Sequence, residues 1–222
     1  MPQPAPSPPT RTPLTSAQSV RFSYGATPVF ENLDLAIPTG LTLLHGGESC
    51  GKSTLLRLLA GALRAEKGRI EWHWIDPAQS GQALPPGDIY WMDPRDEQYD
   101  QVSAQSYFDR LQARHTGFSR SSLQTLTQEL GLSEHVDKPL YMLSTGSKRK
   151  VWLTGAFASQ CRLILLDEPF AALDQRSVVC VRNWLNRVAG DTDRAWVVAD
   201  YEAPPGVAFS HRLALDAIGI RA

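Results

Sequence analysis

Gly46 and Gly51 stand with four residues between them, and Lys52, Ser53 and Thr54 follow at once in the run "GGESCGKST". That spacing suits a loop that holds phosphate. Glycines let the backbone curl tightly, so successive N–H groups can face one anion. A helix opening at Lys52 would aim its positive end at the same point. Lys52 would reach the β- and γ-phosphates of a nucleotide, and the Ser53 hydroxyl would bind Mg²⁺. The candidate binding set is therefore Gly46, Gly47, Glu48, Ser49, Cys50, Gly51, Lys52, Ser53 and Thr54. Cys50 allows two readings: a thiol activated at a helix N-terminus, or a small residue that fits the loop.

A second chemical cluster closes the apolar run "RLILLDEP" with Asp167 and Glu168. A carboxylate at the C-terminal end of a parallel strand sits where open α/β sheets bind ligands. Asp167 would hold Mg²⁺, and Glu168 would act as the base that takes a proton from an attacking water. Taken alone, two acids could equally end a strand and cap the next turn.

Positioning these groups requires particular elements. Val29, Leu33, Leu35 and Ile37 favour a strand, and "LTLLH" is a short buried strand running into the glycine loop. Leu55, Leu58, Leu59 and Ala62 recur at helical spacing after it. "GRIEWHWI" and "DIYWM" read as strands, with "PAQSGQALPPG" a loop between them. Helices are expected over 103–115, 119–130 and 147–159, then a buried strand at "CRLILLD", a helix marked by Val178, Val181, Leu185 and Val188, and two final strands, "RAWVVAD" and "HRLALDAI". The expected fold is α/β: a P-loop NTPase with a mostly parallel core sheet, antiparallel strands near the N-terminus and a helical subdomain over about 98–159. Residues 1–18, rich in proline, read as a disordered tail, and 19–222 as the folded domain.

Composition bounds the class. The 222 residues are 42% hydrophobic and 20% charged, with a formal net charge of −1. This balance gives no footprint for nucleic acid. No run approaches the roughly 18 apolar residues of a membrane span, and "MPQPAPSPPT" lacks the apolar centre of a secretory signal. Three cysteines without metal-like spacing argue against both a disulfide framework and zinc.

Three further segments carry a resemblance. "LSTGS" (Leu143 to Ser147), placed ahead of the Asp167 strand, resembles the signature of ABC-type ATPases, matching at Leu143, Ser144 and Gly146. "FAALD" (Phe170 to Asp174) resembles their D-loop, and "RFSYG" places Tyr24 where such proteins carry an aromatic against adenine. The resemblance runs from about Ser19 to the C-terminus. It implies ATP and Mg²⁺ as ligands, Lys52 and Glu168 as catalytic residues, and Ser144 and Gly146 facing ATP bound to a second ATPase subunit. It also implies a separate membrane permease as partner, with this chain peripheral on the inner face of the membrane. Lys148, Arg149 and Lys150, which follow the signature, read as a solvated basic face.

Two positions depart from that family. Asp93 stands where a glutamine is usual, with Gln98 and Gln101 as alternatives if the loop is shifted, and Asp200 stands where a histidine is usual. A carboxylate about 4 Å from a phosphate charge is opposed by about 4 kcal/mol at an effective dielectric near 20. Asp200 must therefore turn away, pair with a cation, or mark a slow site. An ABC-like regulator that binds ATP and hydrolyses little is the alternative within the fold. A P-loop small-molecule kinase is the alternative outside it, while a GTPase is disfavoured because no Asn-Lys-x-Asp run is present.

Overall fold

The computed structural model describes residues 13–75, 87–91, 93 and 97–215. Two sheets organise them. β1 (Pro13–Tyr24) lies between β2 (Thr27–Pro38) and β4 (Lys67–Trp72) in an antiparallel sheet. β3 (Gly40–His45), β5 (Ile89–Tyr90), β6 (Leu163–Asp167), β7 (Ala195–Asp200) and β8 (His211–Ala214) form a parallel sheet ordered β5-β6-β7-β3-β8. Strands β3, β6 and β7 are buried nearly throughout, which explains their continuous apolar sequences.

The helices follow the apolar periodicity. α1 (Lys52–Leu59) buries Leu55, Leu56, Leu58 and Leu59 against the core that contains Phe30 and Leu44. α2 (Ala104–Arg114), α3 (Arg120–Glu129) and α4 (Thr145–Ser159) fall within the stretch expected to be helical. Ser103, Ser119 and Ser144 cap them, each accepting a hydrogen bond from the N–H three residues on. α4 is buried all round from Val151 to Ser159. Gly155 lets α2 and β5 approach it, because a Cβ there would lie 2.7 Å from Leu111 Cδ1 and 3.0 Å from the Tyr90 hydroxyl. α5 (Gln175–Val188) completes the described helices.

Several boundaries differ from the sequence reading. β1 starts at Pro13, so residues 13–18 are strand and not tail. As the middle strand it pairs on both sides: Thr15 is fully buried and its hydroxyl donates to Glu71 O at 2.8 Å. Residues 1–12 lie outside the described set. α1 stops at Leu59, before Ala62, because Gly61 adopts φ +70° just beyond its cap. β4 stops at Trp72, whose indole N–H donates to Leu59 O, whereas Trp74 turns to donate to Asp88. The "PAQSGQALPPG" loop up to Pro86, Met92, and the end of "HRLALDAI" from Asp216 lie outside the described residues.

Candidate functional site

Strand order brings the chemistry together. β7 lies between β6 and β3, with Asp167 paired to Ala199 and His45 paired to Asp200. The loop that follows His45, the acids that end β6 and the acid that ends β7 thus meet at one edge of the sheet. This is the carboxyl edge at which open parallel sheets receive ligands.

The loop itself is curled. Ser49 and Gly51 both take positive φ, +60° and +97°. Left-handed residues set among right-handed ones turn successive N–H groups to one side, which makes an anion nest. The Lys52 side chain is buried, and its ammonium donates to Gly46 O at 2.8 Å and Gly47 O at 2.7 Å. Gly47, Glu48 and Ser49 form the exposed tip, while Cys50 is 4% exposed and packs in the core with α1. That burial favours the small-residue reading of Cys50.

Ser53 and Asp167 are 114 residues apart, yet the Ser53 hydroxyl donates to Asp167 Oδ2 at 2.6 Å. A hydroxyl and a carboxylate so joined offer two hard oxygen ligands on one side, leaving the remaining positions to phosphate oxygens and water. Mg²⁺ favours such a set, and the described residues hold no cluster of three or more acidic, histidine or cysteine ligands that would suit another metal. The nest, the buried ammonium and this oxygen pair fit a magnesium nucleoside triphosphate.

Glu168 sits in an unusual backbone conformation, with φ +45°. A non-glycine residue in that region costs on the order of 1 kcal/mol or more, so surrounding contacts must hold it. Its N–H donates to Ala199 O at 2.9 Å. On the other side Arg149 Nη1 donates to Asp167 O at 3.0 Å and also to Glu168 O. The solvated basic face expected after the signature is therefore not what forms. Lys148 pairs with Asp100 at 2.7 Å, Lys150 pairs with Asp174 at 2.6 Å, and Arg149 turns inward. Burial lowers the Arg149 pKa from its usual value, with the Glu168, Asp167 and Asp200 charges acting against that shift.

Asp200 is half-buried and accepts a hydrogen bond from the Tyr201 N–H at 2.8 Å. Burial raises its pKa, while the Lys52 and Arg149 charges pull it back. The net shift is upward, so its charged form is disfavoured where it stands. Asp93, by contrast, makes an ion pair with Arg57 of α1. Tyr201 lays its ring over the Lys52 ammonium, 4.4 Å from the centroid. Arg149, Arg57 and Tyr201 were not singled out from sequence.

Tyr24 ends β1 beside the first turn of α1, where Thr54 Oγ1 and the Tyr24 hydroxyl are 3.5 Å apart. Its ring is 46% exposed and stands edge-on to Phe22. Ser144 and Gly146 lie apart from the phosphate loop, at the start of α4. The Ser144 hydroxyl caps the helix through Ser147, and Gly146 packs against the Ala172 carbonyl after β6, where no side chain would fit.

A curled phosphate loop between a parallel strand and a helix, with a carboxylate on the neighbouring strand, defines a P-loop nucleotide-binding protein. Residues 30–171 match the ABC transporter family, and the chain belongs to that family as an ATP-binding domain. It is 30% identical to the aliphatic sulfonates import ATP-binding protein SsuB of Rhodopseudomonas palustris over 90% of this chain and 69% of that one. It is 29% identical to the cytochrome c biogenesis ATP-binding export protein CcmA of Cupriavidus pinatubonensis, over 87% and 86% of the two chains. A solved ATP-binding subunit of an ABC transporter shares the fold, with a TM-score of 0.70 at 19% identity over 85% of this chain and 79% of that one.

Proposed function

We propose that this chain is the ATP-hydrolysing subunit that powers transport through a separate membrane permease. The observation that carries the reading is the 2.6 Å contact between Ser53 and Asp167, which joins the phosphate loop to the acid at the end of β6. The loop N–H groups and Lys52 hold the β- and γ-phosphates, and Tyr24 takes the adenine. Ser53 and Asp167 hold Mg²⁺, which neutralises phosphate charge. Glu168 accepts a proton from the water whose oxygen attacks the γ-phosphorus as the bond to ADP breaks.

The signature faces a second ATPase subunit, identical or related, across ATP. Ser144 is exposed at the N-terminus of α4, and Tyr141 and Met142 just before it are 55% and 60% exposed. A hydroxyl and free helix N–H groups suit a partner's phosphate, and the two large side chains suit burial by a subunit. The permease is supported by the family and by the import and export names of the relatives. Among the described residues no helix is long and apolar enough to cross a membrane, so the chain would lie at the membrane's inner face through that partner.

Asp200 favours a second reading, an ABC-like regulator with weak hydrolysis. Its carboxylate ends β7 at the sheet edge that also holds Asp167, where a second acid would oppose bound phosphates. Turnover with and without Mg²⁺ separates the two. A Mg²⁺-dependent rate abolished by Glu168→Gln, with ATP retained on a dimer, supports the transporter reading. Tight ATP binding with negligible turnover at saturating Mg²⁺ supports the regulator.

A further inference from the structure

Arg149 is the one cation of the described site that enters it from α4 rather than from the phosphate loop. Its Nη1 donates to the backbone carbonyls of both Asp167 and Glu168. Glu168 is held in the left-handed region from two sides, by Ala199 through its N–H and by Arg149 through its carbonyl. We propose that Arg149 is a positioning residue for ATP hydrolysis. It fixes the Asp167–Glu168 backbone from the signature helix.

The geometry explains why arginine serves here. A planar guanidinium with several donors can bind adjacent carbonyls and keep its charge when partly buried, whereas a lysine offers a point charge. Because Arg149 lies five residues after Ser144 on the same helix, any shift of the signature also moves the hold on Glu168.

The inference rests on the reading of the chain as an ATPase, so its test has two arms on the purified full-length protein. In the first, Arg149→Gln lowers kcat on the order of 10²-fold, as expected for a displaced catalytic group, with KM for ATP changed less than about threefold. Arg149→Lys recovers part of the loss. In the second, Tm is measured without nucleotide. The Tm loss caused by Arg149→Gln falls by about half when Glu168 is already Gly, because glycine takes the left-handed conformation without that hold. Wild-type kcat in Arg149→Gln, or Tm losses that simply add, overturns the proposal. A wild-type chain without ATPase activity overturns the functional reading instead, and the Tm coupling then decides on Arg149 by itself.

Discussion

The Tyr201 ring covers the Lys52 ammonium at 4.4 Å, and the same ammonium donates to the Gly46 and Gly47 carbonyls. The ammonium is therefore held before any phosphate reaches it. An exposed cation–π contact contributes about 0.5–1 kcal/mol. Tyr201→Ala removes that competitor and should tighten ATP binding about two- to fivefold. Titration of the purified protein with ATP analogues measures it, and an unchanged Kd means that the ring does not restrain Lys52.

Asp200→His should raise turnover. The carboxylate is half-buried and its pKa is raised by burial, so its charged form is already disfavoured at this edge. With Lys52 and Arg149 offsetting it, the gain expected is about tenfold in kcat, less than the bare Coulomb opposition suggests. Steady-state ATPase assays test this, and a rate equal to or below wild type removes Asp200 as the limit on hydrolysis.

Arg57 and Asp93 make an ion pair that joins α1 to the segment after β5, with the Arg57 guanidinium also 6.0 Å from the Trp91 ring. Both side chains are partly shielded, at 31% and 20% exposure. Arg57→Ala should cost about 1–2 kcal/mol in stability. Adding Asp93→Asn to it should cost less than Asp93→Asn costs in the wild-type chain, because the pair is already broken. Denaturant unfolding of the four proteins measures the coupling, and simple additivity means the pair contributes nothing.

The placement of the phosphate loop and of the "LLDEP" acids was legible because each is a local pattern at the end of an apolar strand. The sheet edge that unites them followed from the apolar strands that precede each one. Arg149 was not legible in the same way. It sits in a run of three basic residues, and only the tertiary placement of α4 decides which of them turns inward. One signal was available: the mostly apolar run from Val151 to Ala158, which the structure buries, follows those basic residues directly on the same helix. Residues 13–18 were misassigned because proline density ahead of them suggested a tail. Their membership of a strand depends on pairing with β2 and with β4, the latter more than 50 residues away. Tyr201 and Arg57 belong to contacts that no sequence period reports.

Asp174 carries the pH dependence that is simplest to isolate. It caps α5, accepting from the Ser177 N–H at 2.9 Å and from the Ser177 hydroxyl at 3.0 Å, and it pairs with Lys150 at 2.6 Å. Lys150 first, and the Ser177 N–H second, hold its pKa well below the ordinary carboxylate value. A pKa lowered on folding means that the folded state favours the ionised form. The stabilisation is therefore complete above the unfolded value of about 3.9 and is lost as pH falls below it. Asp174→Ala should cost about 1 kcal/mol at pH 7, the usual worth of a helix N-cap. The difference from wild type should shrink steadily below about pH 4 as the wild-type carboxylate is protonated. Lys150→Gln should move the wild-type acid transition to higher pH, since it raises the pH at which Asp174 protonates in the folded chain. Thermal unfolding followed across pH 2–7 measures both effects. A stability difference that stays constant down to pH 2 would show that the ionised carboxylate is not what holds the start of α5.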